Sequence, residues 1–96
     1  MSDTRPFEPS FHLPAELTIA YAAQSRNGLL QAVSQGVSAF DARAVESIDT
    51  SGIQLLLALR RSLQAQQVSM RLLEPSDALQ DALRLYGLSG LLTTSH

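Results

Sequence analysis

The chain has 96 residues, enough for one compact domain with a modest core and too few for a second lobe. Hydrophobic residues make up 45% of it, which fits a folded protein rather than a disordered one, and the absence of cysteine excludes disulfides and thiol chemistry. The formal net charge is -2, and the seven basic residues are arginines scattered from Arg5 to Arg84, not the dense basic stripe that nucleic acid demands.

Residues 1–10 read as a flexible lead-in, because Pro6 and Pro9 interrupt regular structure and apolar patterning starts only at Phe11. The same stretch lacks the basic start and apolar core of a secretion signal, which points to the cytoplasm. Phe11-His12-Leu13 and Leu17-Thr18-Ile19 are short apolar pieces around Pro14-Ala15-Glu16, and suit two strands joined by a tight turn. Over residues 22–35 the spacing of Ala22, Leu29, Leu30 and Val33 predicts a first helix, with Gly36 as its left-handed stop. Gly28 inside that helix costs about 1 kcal/mol relative to alanine, so the helix depends on packing.

Residues 37–42 follow as a strand carrying Val37, Ala39 and Phe40. The strongest helical signal spans 51–66, where Ile53, Leu55, Leu56, Leu57, Leu59 and Leu63 fill an arc of roughly 200°. So broad an arc exceeds what one sheet covers and leaves an edge, at Leu55, for a partner. Its apolar run, residues 53–59, is interrupted by Gln54 and is far short of the roughly 20 residues a bilayer span requires, so direct membrane insertion is excluded. Residues 68–73 alternate as a strand. Ser76 is an N-cap, Asp77 supports the helix dipole, and Leu79, Ala82, Leu83 and Tyr86 share one face of a third helix that ends at Gly87. Residues 88–92 pack back as a last turn or strand, and 93–96 form a tail.

The order strand, strand, helix, strand, helix, strand, helix gives a single α/β domain over residues 11–92. Helices between successive strands imply parallel neighbours joined by right-handed crossovers. The expected architecture is a mixed sheet of four to five strands with three main helices mostly on one face.

Chemistry concentrates at Ile48-Asp49-Thr50-Ser51-Gly52-Ile53, where a loop enters the strongest helix. Three oxygen-bearing side chains meet the free N–H groups of a helix start, and ordinary capping accounts for them residue by residue. A phosphate added there would meet the positive end of the helix dipole but stand beside Asp49, placing about −1.5 to −2 charges on an exposed edge. Such a charge would repel a docked partner without disturbing a solvated fold, which makes a binding switch.

From Leu17 to Leu92 the sequence resembles the STAS family, named for sulfate transporters and anti-sigma factor antagonists. The resemblance rests on Asp41-Ala42-Arg43-Ala44-Val45 and the Asp49-Thr50-Ser51-Gly52 helix start, with Leu72-Leu73-Glu74-Pro75-Ser76 and Leu85-Tyr86-Gly87-Leu88 behind them. Ala42-Arg43 stands where the family more often has Leu-Ser, and Ser25, Arg26 and Gly28 make the first helix more polar than is usual. The resemblance implies a non-enzymatic interaction module of bacterial signalling. An anti-sigma factor acting as a serine kinase would phosphorylate Ser51, or failing that Thr50, and bind the unmodified form. It further implies partner contacts from Asp41, Asp49, Thr50, Ser51, Gly52, Gln54, Leu55 and Ala58. The same resemblance extends to STAS subunits that bind the ATPase of an ABC phospholipid transporter, and to modules encoded with chemotaxis proteins.

Other chemistry is thinly represented. His12 and His96 have no cysteine or second histidine at ligand spacing, so no metal site is expected, and no cofactor motif occurs. With no lysine, the usual P-loop contact to phosphate is missing. Asp41 and Asp49 could form a carboxylate pair for acid–base work, but such residues more often frame a loop and cap a helix. Tyr21 and Tyr86 are expected to pack at the edge of the core.

Overall fold

The computed structural model of the chain describes residues 10–93. The expected lead-in, apart from Ser10, and the expected tail beyond Thr93 lie outside them. In chain order the elements are β1 (Ser10–His12), β2 (Glu16–Leu17), α1 (Ile19–Ser34), β3 (Ala39–Asp41), β4 (Ser47–Ile48), α2 (Thr50–Ala65), β5 (Arg71–Leu73) and α3 (Asp77–Leu85). A 3-10 turn, Ser89–Thr93, follows.

The strands form a three-stranded sheet in the order β1-β3-β5 and a two-stranded ladder, β2-β4. The α/β class and the three helices are those the sequence order implies, and five strands fall within the expected four to five; the strand absent from that order is β4. The hairpin expected of the first two strands is not formed: β1 pairs with β3 and β2 with β4, and every ladder among the described residues is parallel. Pro14-Ala15-Glu16 therefore connects two strands that leave for different partners.

Side-chain alternation sets the layers. Phe11, Phe40 and Leu72 lie side by side in register and join the core, with the Phe11 and Phe40 rings 6.5 Å apart. Ser10 and His12, on the opposite face of β1, are exposed. The core collects Leu29 and Val33 of α1, Ile53, Leu56, Leu59 and Leu63 of α2, and Leu79 and Leu83 of α3. The wide apolar arc of α2 is used inward, because α1 packs along α2 while other α2 residues share one core with Phe40 of β3. Leu55, expected at an open edge, is only 3% exposed and belongs to that core.

All three helices stop by one device. After α1, Gly36 N–H reaches the Val33 carbonyl and Val37 N–H that of Ala32. After α2, Gln67 bonds to Gln64 and Val68 to Leu63, and after α3, Gly87 bonds to Arg84 and Leu88 to Leu83. This paired closure requires a left-handed residue just past the helix, and the φ values are 108° at Gly36, 62° at Gln67 and 71° at Gly87. Because residues 67 and 68 complete such a closure, the strand expected from 68 starts only at Arg71.

Candidate functional site

The two-residue ladder between β2 and β4 positions the site. Leu17 and Ile48 are register partners. One residue beyond each, Thr18 and Asp49, separates the ladder from a helix, so the N-terminal ends of α1 and α2 are set side by side. Asp49 serves both. Its Oδ1 accepts the Gly52 N–H at 3.0 Å, capping α2, and its Oδ2 accepts the Ile19 N–H at 3.0 Å, at the first residue of α1. Thr18, in the cap position of α1, makes no side-chain cap of its own.

Gly52 allows this proximity. A Cβ there would collide with the Leu17 carbonyl oxygen and press on the Ile48 side chain, so a residue without a side chain is needed for α2 to sit against the ladder. The α2 start is thus held by backbone contact as well as by its cap.

The two hydroxyls on that turn have different surroundings. Thr50 is exposed, and its Oγ1 lies 3.0 Å from the Tyr86 hydroxyl at the end of α3. Ser51 is half-buried and lines an open groove of about 630 Å3 between α1 and α2. Gln54, Leu55 and Ala58 follow Ser51 along the same wall, Gln54 exposed and Leu55 at the buried floor. Tyr86, expected at the core edge, is 46% exposed and is the residue that sequence reasoning missed. Its neighbour 36 positions away in the chain carries no local signal for it.

Asp41 is not available in the same way. It is 5% exposed, and its carboxylate accepts from the Arg43 backbone N–H at 3.1 Å and from the Arg43 guanidinium at 3.0 to 3.1 Å, with His12 Nδ1 at 3.3 Å. The Arg43 hydrogen bonds hold its carboxyl below the usual carboxylate range, against a weaker opposing effect of burial. A carboxylate so stabilised in its charged form is a poor proton acceptor. Among the described residues no hydrogen bond or ion pair joins it to Asp49, and no group of His, Cys, Asp and Glu could hold a metal ion. No helix among them is long and apolar enough to cross a membrane.

The architecture is thus a parallel α/β domain whose second helix starts on a hydroxyl-bearing turn seated by a glycine. The STAS domain family model matches residues 6–96, and the chain belongs to that family. Among solved structures it is similar to the anti-sigma factor antagonist SpoIIAA in its unphosphorylated form. The two share 26% identity with a TM-score of 0.72, over 86% of this chain and 75% of that one. The phosphorylated form of SpoIIAA, described as a Bacillus cell fate determinant, matches at 26% identity and a TM-score of 0.64, over 86% and 78%. A sulfate transporter family protein from Wolinella succinogenes shares the fold, at 22% identity and a TM-score of 0.70 over 90% and 75%. None of the curated proteins compared matches the sequence.

Proposed function

We propose that this STAS domain is a cytoplasmic interaction module of bacterial signalling, of the anti-sigma factor antagonist type and without catalysis of its own. Its switch is phosphorylation of Ser51, with Thr50 as the second acceptor. The unmodified form captures an anti-sigma factor that is itself the serine kinase, and the phosphorylated form releases it, which regulates transcription. The observation that carries this reading is the half-buried Ser51 facing an open groove at a helix start held by Asp49 and Gly52. Similarity to a protein solved both with and without phosphate supports it.

The electrostatics work as follows. The Gly52 N–H is already taken by Asp49, so a phosphoryl group on Ser51 has fewer backbone donors to receive it and lies close to an existing carboxylate. Its charge is therefore turned outward, toward whatever docks. Thr50 differs, because its hydroxyl already contacts Tyr86 and modification there breaks that contact.

The test is intact-mass analysis after incubation with an anti-sigma serine kinase and ATP, followed by peptide mapping. One phosphoryl group on Ser51 is expected, lost in Ser51→Ala and retained in Thr50→Ala. Ser51→Asp should weaken kinase capture at an unchanged melting temperature. A protein that stays unmodified, or a folded Ser51→Asp variant that captures the kinase as tightly as wild type, refutes the switch.

A further inference from the structure

The groove beside Ser51 continues past the proposed switch, and its far end is basic. Arg26 of α1 and Arg61 of α2 line both the 630 Å3 groove and a second hollow of about 300 Å3, which extends along the same seam to Leu30 and Ala65. Both arginines are exposed, and neither forms an ion pair or hydrogen bond among the described residues, in contrast to Arg43 and Arg84. No acidic residue lines either stretch, although the chain as a whole carries a net charge of -2. The walls are low because Ala22 and Ala58 stand where longer side chains would close the seam, and Ile19 at its other end is 65% exposed.

We infer that the α1–α2 seam is the docking site for an acidic amphipathic helix of a protein partner, its apolar row over Ile19, Ala22 and Ala58 and its carboxylates on Arg26 and Arg61. The seam runs from Ser51 to Ala65, 15 residues of helix spanning about 21 Å, the length of a four-turn helix. An apolar row with carboxylates at one end matches both halves of it: burial of the exposed isoleucine supplies affinity, and the two cations set orientation and exclude basic competitors. The inference rests on the reading of the chain as an interaction module but does not require phosphorylation, and the two can fail separately.

The probe is a set of three 16-residue helical peptides with one leucine and alanine face, differing only in carrying Glu, Gln or Lys at two neighbouring polar positions. Each is titrated into the unphosphorylated ¹⁵N-labelled protein at low salt. The Glu peptide should shift amides of the facing stretches of α1 and α2, bind about tenfold tighter than the Gln peptide, and lose that advantage as salt is raised. The Arg26→Glu/Arg61→Glu protein should prefer the Lys peptide, and Arg26→Gln/Arg61→Gln should bind the Glu and Gln peptides alike; both positions are exposed, and an unchanged circular dichroism melt confirms the fold. These outcomes are read on unphosphorylated protein with no kinase present, so they stand whether or not Ser51 is ever modified. Absence of binding, shifts outside the seam, or affinity indifferent to the sign of the peptide's charge overturns the inference.

Discussion

Asp49 closes the N-terminal ends of two helices with one carboxylate, so its removal should cost more than an ordinary cap. Loss of a single N-cap side chain costs about 1 kcal/mol, and Asp49→Ala is expected to lose roughly 2 kcal/mol in urea unfolding. Asp49→Ser, whose shorter side chain can still reach Gly52 but not Ile19, should lose about half of that. A loss in Asp49→Ala no greater than in Asp49→Ser would show that the bond to α1 contributes nothing. The α2 half of this arrangement is legible in the sequence, since Asp-Thr-Ser-Gly before an apolar run is a helix start with its cap in place. The α1 half is not, because the donor lies 30 residues away. The same gap explains why α1 starts at Ile19 rather than near Ala22: its cap is supplied from elsewhere in the chain.

Among the elements, the helices were readable and the strands only partly so. A helix of 16 residues displays its period several times, whereas β4 has two residues and cannot show alternation at all. The tight turn expected around Pro14 followed local chemistry, yet Leu17 pairs with Ile48, a partner no local pattern names. Breadth of the α2 arc was likewise visible, but whether α1 or a visitor covers Leu55 depends on where α1 packs. Helix ends divide in the same manner. Gly36 and Gly87 announce their left-handed turns, while Gln67 adopts the same conformation without the residue type that favours it. Gln67→Gly should therefore stabilise the domain by about 0.5 to 1 kcal/mol, raising the denaturation midpoint with an unchanged slope. An unchanged or lower midpoint would mean that the Gln67 side chain has contacts worth more than the backbone strain.

At the scale of the whole molecule, acid sensitivity should track Asp41. Its carboxyl titrates below the ordinary range in the folded state because of Arg43, with a smaller contribution from His12. The unfolded chain thus takes up the proton first, and the stabilisation present at neutral pH is lost as pH falls through the unfolded and then the folded value. Unfolding free energy measured from pH 7 to pH 2 should decline across that window, and Asp41→Asn should start lower and decline less steeply. Parallel curves for the two proteins would remove Asp41 as a cause. The site at Gly52 carries a different consequence for the molecule. With the α2 start seated on the Leu17 carbonyl and no room for a methyl group, that turn cannot recede when a charge is attached to it. On the proposed reading, the domain offers one contour before and after modification and changes only the field around it. A signal of that kind needs no elastic motion to be read and no refolding to be erased, so its tempo would be set by the enzymes that write and remove the mark.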